Sequence, residues 1–354
     1  MTSSEPDSQL KAFAAAGHML NQWYLGAQAL ALLRAASDAG VLMAARETCS
    51  VATLASVTGL NPAWVADLCW ALFGLGVLDG GEGGFRLSPD FLRLTDPGAP
   101  QTLANTLGTQ AARIRALTRC CAASGSGGDL PEEDALTVAL GIWGLPSSPA
   151  ALGSFGAVDA GMPEVRVLWE QGALHLELGC GAGRDLLHIA VLYPKVTVVG
   201  VDLCREALEE VRRQAHVLGI ADRVQLQHRD ARSVGDLALY DTVVWSQMHF
   251  PPEARSETAR VAHRALKPEG YLLLPLQAEP PATPAALRTP GGQQVALLRL
   301  VYRVWGLGWY SAQEVQAEME AADFEVVRVV PHPRTNYMLL KVAATPDGGA
   351  PEPG

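Results

Sequence analysis

Apolar residues in the first third of the chain recur at spacings of three and four, which is the period of an amphipathic helix. The longest such stretch, Leu10 to Ala36, predicts a long helix with one apolar face that needs a partner. Residues 1–120 show no alternating strand pattern apart from one short hairpin, so we predict a mainly helical N-terminal region. The apolar face of the long helix comprises Leu20, Trp23, Tyr24, Ala27, Leu30, Ala31 and Leu33.

The segment from residue 50 to residue 88 predicts a winged helix-turn-helix. A helix begins at Ser50, a second helix over Ala63 to Leu75 follows a proline-containing turn, and a glycine-rich turn then separates two short strands. DNA binding is the common use of this motif. The second helix contains no lysine or arginine, so it cannot contact phosphate or guanine, and we predict that it packs against protein. Its bulky apolar residues are Trp64, Trp70, Leu72 and Phe73.

From about residue 165 onward, strand and helix patterns alternate, which predicts an α/β domain. We therefore predict a helical winged-helix domain over 1–164, an α/β domain over 165–344 and a disordered tail over 345–354, with a surface loop at 122–129. The predicted strands are 173–178, 196–201, 223–228, 240–245 and 271–276, followed by an antiparallel hairpin over 323–342.

A glycine-rich turn lies between the first predicted strand of this domain and the following helix. Glycines stand at 179, 181 and 183, and Glu177 precedes them by two residues. Such a turn lets the backbone approach a ligand closely, with helix N–H groups facing it. A dinucleotide fingerprint would have its third glycine at 184, where this chain has arginine. The spacing therefore favours a ligand without a pyrophosphate.

Polar side chains also follow the next three predicted strands. Asp202 ends the second strand, where a carboxylate can accept both hydroxyls of a ribose, or else can cap the following helix. Asp230 follows the third strand and can accept an adenine amino group, and Ser246 follows the fourth. Ligands of open α/β sheets bind at this carboxyl edge, so the coincidence predicts an adenosine site.

These motifs resemble those of the class I S-adenosylmethionine-dependent methyltransferases. With the winged helix, the resemblance narrows to the small-molecule O-methyltransferases of plants and bacterial secondary metabolism. It implies a Rossmann-like, doubly wound sheet of seven strands with the last strand antiparallel, and a homodimer formed through the winged-helix region. It also implies S-adenosyl-L-methionine as the cofactor. The residues expected to bind it are Glu177, Gly179, Gly181, Gly183, Asp202, Leu203, Asp230, Ala231 and Ser246.

Composition limits the possible partners and locations. Hydrophobic residues make up 49% of the chain and charged residues 18%, which is typical of a globular protein. A formal net charge of -10 disfavours nucleic acid as a partner. The first residues lack a signal-peptide pattern and no apolar run reaches the roughly 18 residues of a membrane helix, so we expect a cytoplasmic protein. The six cysteines are scattered, and we predict neither a disulfide nor a metal site.

His249 is the candidate catalytic base. The resembled family places a histidine just after the fourth strand, where it deprotonates a phenol. There Asp-Trp follows the histidine, but here Phe250 and Pro251 do. The supporting acids of the family have no motif-matched counterpart, although Glu253 and Glu279 are possible. A pocket-lining or helix-capping histidine is the alternative.

The segment between residues 278 and 309 is an insertion that we interpret as a lid over the carboxyl edge. Aromatic residues in and around it predict an apolar, flat or polycyclic acceptor. The candidate substrate-binding residues are Trp143, Phe155, Trp245, Met248, Trp305 and Trp309.

The sequence thus predicts S-adenosylmethionine-dependent methylation of an aromatic or polycyclic small molecule, at oxygen. Three alternatives stay open. One is methylation at carbon, nitrogen or sulfur. The second is a non-methylating enzyme that uses the same cofactor for decarboxylation, hydroxylation or pericyclic rearrangement. The third is a DNA-binding regulator that senses the cofactor.

Overall fold

A computed structural model describes residues 5–96, 99, 102–121, 130–141, 152–153, 156, 160–332 and 335–343, with side chains from residue 11. The predicted loop at 122–129, the predicted tail beyond residue 344, and Trp143 and Phe155 lie outside these residues. The chain divides into two compact units, residues 1–107 and 108–354. The helices between 108 and 164 thus group with the α/β region. The change from helical to alternating pattern falls near residue 165, and the functional boundary placed there stays a prediction.

The first unit contains the predicted winged helix-turn-helix. Ser50 and Asn61 begin its two helices by accepting hydrogen bonds from the amides of Thr53 (3.1 Å) and Ala63 (2.9 Å), which satisfies N–H groups left free at a helix start. A buried core that includes Leu54, Leu72 and Phe85 joins these helices to the hairpin. The elements are α1 (Glu5–Asp38), α2 (Val41–Ala44), α3 (Val51–Thr58), α4 (Pro62–Gly74), β1 (Leu78–Gly81), β2 (Gly84–Leu87), α5 (Pro89–Leu94) and the start of α6 (Leu103–Arg119).

The apolar face predicted for α1 is largely uncovered in the single chain. Trp23 and Tyr24 are 64% and 68% exposed, whereas Leu33 near the end of the helix is buried in the core. On α4, Trp64 is 74% exposed. The exposed side chains on these two helices include large apolar ones, and α4 carries no lysine or arginine, as the sequence indicated.

The second unit is a seven-stranded sheet with helices between the strands. Its strand order is β5-β4-β3-β6-β7-β9-β8, in which the first five strands are parallel and β9 runs antiparallel to both neighbours. The predicted fold class is confirmed. The elements are α7 (Glu132–Gly141), α8 (Pro163–Gln171), β3 (Leu174–Leu178), α9 (Arg184–Leu192), β4 (Thr197–Asp202), α10 (Arg205–Val217), β5 (Val224–His228), β6 (Tyr240–Trp245), α11 (Pro252–Ala265), β7 (Leu266–Pro275), α12 (Pro284–Leu287), α13 (Pro290–Val304), α14 (Ala312–Glu320), β8 (Phe324–Val330) and β9 (Tyr337–Val342).

The central strand β3 fixes where a ligand can bind. Its chain connection to β4 runs to one side and its hydrogen bonds to β6 lie on the other, so the strand order reverses beside it. Buried apolar clusters cover both faces of the sheet, one containing Leu186 and Val198 and the other Leu178 and Trp245. A crevice therefore opens at the carboxyl ends of β3, β4 and β6, as expected at such a switch point.

The predicted insertion contains the helices α12 and α13. Val301 and Val304 of α13, and Trp305 directly after this helix, pack in one apolar cluster with Ala112 and Ala116 of α6. The insertion is thus anchored to the second unit by a core of its own.

No helix within the described ranges is both long enough and apolar enough to span a bilayer.

Candidate active site

The glycine-rich turn after β3 is held in a conformation that only glycine fits. Gly179, Gly181 and Gly183 all have positive φ angles, of 71°, 51° and 75°. A Cβ on Gly179 would lie 2.6 Å from Cε2 of Phe250, so a side chain there would be both strained and obstructed. The sequence prediction of a close-approach turn therefore has a specific physical basis.

Asp202 at the end of β4 fastens this turn to the neighbouring strand. Its Oδ2 accepts a hydrogen bond from the amide of Gly181 and its Oδ1 from the amide of Cys204, both at 2.7 Å. Burial raises the pKa of the carboxyl, and the backbone N–H donors oppose that shift. Each oxygen has a second lone pair, so the carboxylate can still accept two hydroxyl groups.

Asp230 is already engaged by Arg232. Its carboxylate caps the short turn Ala231–Ser233 through the amide of Arg232 (2.8 Å) and forms an ion pair with that guanidinium (2.6 Å). The hydrogen bond from Arg232 lowers the pKa of Asp230. The predicted adenine contact would share the carboxylate with these donors, and it stays a prediction.

Glu177 is the least satisfied polar group of the turn. It is only 3% exposed, and its Oε2 has no hydrogen-bond partner among the described residues. Burial raises its pKa, and the charge of Asp185 acts in the same direction. An unpaired buried acceptor of this kind fits a cationic group of a ligand.

Arg184, where a dinucleotide site would have glycine, was not predicted as a site residue. It is charged and held by Asp185 (Nε to Oδ1, 2.6 Å) and by the hydroxyl of Tyr337 (2.8 Å). Arg184 and Asp185 both line the cavity described below. The one signal in the sequence was the position of arginine directly after the third glycine.

One cavity of about 650 Å³ unites the glycine turn with His249. We call its wall at Glu177, residues 179–182, Arg184 and residues 202–206 the glycine end, and its wall at Met248, His249 and Phe250 the histidine end. Gly183 is absent from the wall because it packs against Val211 beneath it. The other predicted cofactor residues all line the cavity: Glu177, Gly179, Gly181, Asp202, Leu203, Asp230, Ala231 and Ser246.

His249 lies in a short 3-10 turn, Gln247–His249, after β6. Its Nε2 is 3.1 Å from the hydroxyl oxygen of Tyr302. Burial, with a smaller contribution from the positive charge of Arg184, lowers the pKa of His249 to about 4. The imidazole is therefore neutral at pH 7 and has a lone pair available.

The residues predicted to bind the acceptor do not all line the cavity. Met248 lines the cavity. Trp245 does not, because its indole is fully buried in the core, where it meets Phe250 edge to face. Trp305 is buried among the apolar residues of α6 and α13, and Trp309 packs edge-on against Tyr302 (5.4 Å between centroids).

All six cysteines are free thiols. Over the part of the chain that the structure describes, no three His, Cys, Asp or Glu side chains come together as a metal site would require.

Comparison with known proteins identifies a methyltransferase domain in this region. The sequence model of a methyltransferase domain matches residues 176–270. The methyltransferase ungE' of Aspergillus campestris is 28% identical over 125 residues, or 34% of this chain and 35% of that protein. The chain therefore spans about a third of the length of this curated relative.

Solved structures match nearly the whole chain. The mitomycin 7-O-methyltransferase MmcR superposes with a TM-score of 0.73 at 20% identity, covering 94% of this chain and 100% of that one. Human N-acetylserotonin methyltransferase in complex with S-adenosylmethionine gives 0.71 at 18% identity, covering 97% and 100%. At these identities the likeness shows the fold. With the domain match, it confirms the resemblance seen in the motifs: the chain carries a methyltransferase domain at residues 176–270, on the fold of the S-adenosylmethionine-dependent methyltransferases.

Proposed function

We propose that this protein transfers the methyl group of S-adenosylmethionine to an oxygen atom of an apolar, aromatic or polycyclic small molecule of bacterial secondary metabolism. The cavity of about 650 Å³ that joins the glycine turn to His249 is the observation that carries the proposal. It brings a site suited to adenosine and methionine next to a neutral histidine.

The glycine end fits the cofactor. Asp202 would accept the ribose hydroxyls, and Asp230 with Ala231 would border the adenine. The unpaired Oε2 of Glu177 would accept a hydrogen bond from the methionine ammonium group. Leu203 and Ser246 would complete the wall around the adenosine and the sulfonium. When bound, S-adenosylmethionine supplies a methyl group that is already activated on a positively charged sulfur.

His249 would remove the acceptor proton. The acceptor oxygen would take the methyl group that S-adenosylmethionine supplies, which would leave S-adenosylhomocysteine, and the hydroxyl proton would pass to the imidazole of His249. A hydroxyl becomes strongly acidic as its oxygen gains a methyl group, so a base with a pKa of about 4 can still accept the proton late in the transfer. Burial at the histidine end would meanwhile exclude water that competes for the methyl group.

Transfer to oxygen is supported by the O-methyltransferases among the structures that share the fold. Phe250 and Pro251 in place of the expected Asp-Trp keep transfer to carbon, nitrogen or sulfur, and non-methylating use of the cofactor, as alternatives. A cofactor-sensing DNA-binding role is disfavoured by the lack of basic residues on α4. A gel-shift assay would exclude that role by showing no salt-sensitive DNA binding.

We also propose a cytoplasmic homodimer, formed through the uncovered apolar face of α1. The exposed Trp23 and Tyr24 of one copy would pack against the same surface of a second copy, since a closed twofold interface uses one patch on both subunits. Light scattering should give the mass of two chains, and a monomer would contradict this proposal.

The decisive experiment follows methyl-labelled cofactor during incubation with phenols, naphthols and hydroxyanthraquinones as probes. We expect a product that is heavier by one methyl group, together with S-adenosylhomocysteine in equal amount. Fragmentation or acid stability of the product distinguishes an O-methyl ether from methylation at carbon. A product formed without S-adenosylhomocysteine would contradict methyl transfer.

A further inference from the structure

The short turn that carries His249 is held by a buried arginine of α11. Nη1 of Arg255 donates a hydrogen bond to the backbone oxygen of Gln247 at 2.7 Å, and it also bonds Oε1 of the same glutamine. Gln247 is the first residue of the turn Gln247–His249. We propose that Arg255 is a positioning residue for His249: by holding Gln247 it fixes the turn, and with it the direction in which the imidazole meets the acceptor. The inference rests on the proposed role of His249 as the base.

Both polar atoms of the Gln247 side chain are hydrogen-bonded. Its Oε1 accepts from Arg255, and its Nε2 donates to the backbone oxygen of Pro275 at 3.1 Å. The backbone oxygen of Gln247 also accepts a hydrogen bond from the amide of Phe250 at 3.2 Å, which closes the turn. Because Gln247 is fully buried, water cannot replace these bonds if one of them is lost. The turn is thus fastened both to α11 and to the end of β7.

Arg255 is itself held on its other side. Its side chain is buried, its Nε donates to Oε1 of Glu318 at 3.1 Å, and its Nη2 forms an ion pair with the second oxygen of that carboxylate. The guanidinium lies over the ring of Tyr310, 3.9 Å from the centroid, an arrangement that suits its planar shape. All three nitrogens are therefore engaged, and the guanidinium is restrained to one position from which it can fix Gln247.

The cavity lies on the far side of this turn from Arg255. Met248 and His249 line the cavity, whereas Gln247 and Arg255 do not. Arg255 therefore acts through the backbone of the turn and not by touching a ligand there. A displacement of the turn at Gln247 would move the imidazole two residues later, and misplacement of a reacting group by about 1 Å can cost on the order of 100-fold in rate.

The acid that supports this end of the cavity is not one of the two that the sequence suggested. Glu253 is exposed at the start of α11. Glu279 is also exposed, and it accepts a hydrogen bond from the amide of Ala312 at 2.9 Å. Glu318 of α14 reaches the turn through Arg255. Its carboxylate therefore holds an arginine that holds the turn, and does not pair with the histidine itself.

The test begins with Arg255→Lys. Lysine keeps the positive charge beside Glu318 but replaces the planar guanidinium with one ammonium group, which cannot bind Gln247 and Glu318 in the same geometry. We expect kcat to fall about tenfold, because the imidazole is displaced. Affinity for S-adenosylmethionine in calorimetric titration should stay within about twofold of the wild type, because the glycine end is unchanged. A wild-type kcat in Arg255→Lys would overturn the proposal.

Arg223→Lys is the matched control. Arg223 also donates to backbone oxygens, those of Val196 at 2.9 Å and Ala190 at 2.7 Å, but it precedes β5 and so lies at the opposite edge of the sheet from the cavity. We expect its melting temperature to fall and its kcat to stay at the wild-type value. An equal loss of kcat in both variants would mean that reduced stability alone slows the enzyme, which would overturn the proposal.

A double-mutant cycle shows whether Arg255 acts through His249. If it does, Arg255→Lys should lower kcat in the wild type but cause no further loss in His249→Gln, because the base that it positions is already absent. If the losses in the two single variants multiply in the double variant, Arg255 acts elsewhere and the proposal is overturned.

A methyl NMR signal reports on the turn without any need for turnover. In the full-length protein labelled at its methionine methyl groups, the Met248 signal is identified among seven methionines by its loss in Met248→Leu. We expect this signal to move in Arg255→Lys and to stay in place in Arg223→Lys. An unmoved signal in Arg255→Lys would overturn the proposal even if methylation occurs.

The two kinds of failure are distinguishable. If the Met248 signal moves as expected but no probe is methylated, the proposed function fails while the hold of Arg255 on the turn stands. If a probe is methylated at oxygen and the signal does not move, the proposed function stands and the role of Arg255 fails.

Discussion

The glycine end of the cavity is built from backbone and strand-end carboxylates, whereas the histidine end is supported by side chains from distant segments. At the glycine end, Asp202 binds the amide of Gly181 directly across two adjacent strands. At the histidine end, His249 meets a tyrosine 53 residues later in the chain. Local sequence therefore specifies the first end, and tertiary packing specifies the second. Changes at the glycine end should alter cofactor affinity, and changes at the histidine end should alter turnover.

The largest effect is expected from Gly179→Ala. The added Cβ would meet Phe250 at 2.6 Å and would impose a φ of 71° on a residue that avoids it, so we expect cofactor affinity to fall about 100-fold or more. Calorimetric titration with S-adenosylmethionine measures this. Gly219→Ala is the control, with a φ of 69° and no atom within 4 Å of the new Cβ. Equal affinity in both variants would contradict the close-approach interpretation.

His249→Gln should distinguish the role of the histidine end of the cavity from that of the glycine end. If His249 is the base, we expect kcat to fall by about 100-fold while cofactor affinity stays unchanged. The control is His263→Gln, which removes a histidine that packs edge to face against Phe324, away from the cavity. Turnover at the wild-type rate would assign His249 to packing alone.

Asp202→Ala should weaken cofactor binding by about 1 to 3 kcal/mol, through loss of the ribose contacts and of the turn that the carboxylate fastens. Asp241→Ala is a matched control, since Asp241 also accepts a backbone N–H, that of Leu174 at 2.8 Å, but at the opposite edge of the sheet. The free energy of unfolding of Asp241→Ala should fall without a change in its affinity for the cofactor. If Asp202→Ala binds the cofactor as tightly as the wild type, the ribose lies elsewhere.

The smallest effect is expected in the pH dependence of the free energy of unfolding. The pKa of His175 is lowered to about 3 and that of His249 to about 4, in both cases mainly by burial. The unfolded chain protonates these two histidines below about pH 6.5, whereas the folded protein keeps them neutral. Their contribution to the free energy of unfolding is therefore fully present above that pH, and it is lost as the pH falls from 6.5 toward the pKa values of the folded state.

We therefore expect the melting temperature to drop between pH 7.5 and pH 5, and to drop less in His249→Gln. The difference should be on the order of 1 kcal/mol in unfolding free energy at pH 5. Identical pH dependence in the two proteins would mean that His249 is not buried in its neutral form.

The sequence predicted the regular part of this molecule well. The bounds of β6 match the predicted strand over 240–245, because a buried strand followed by a polar residue leaves few alternatives. The carboxyl-edge positions of Glu177, Asp202 and Asp230 follow from that strand pattern alone. Their roles toward the cofactor stay predictions.

Packing decided what the sequence did not reveal. Trp245 was predicted to bind the acceptor as one of the aromatic residues around the insertion, but alternation along β6 directs its side chain into the core. Tyr302 belongs to no motif, and the packing of α13 on α6 brings it toward His249. The tertiary pairing of an insertion with an earlier helix has no local sequence signal.

The two hydrogen bonds of Asp202 have a kinetic consequence. Since the carboxylate already holds the amides of Gly181 and Cys204, the loop does not have to become ordered when the cofactor arrives. Little conformational entropy is then lost on association, and the encounter needs only correct orientation. Exchange of spent for fresh cofactor can therefore proceed at a rate set by departure of the old molecule, without refolding of the site between turnovers.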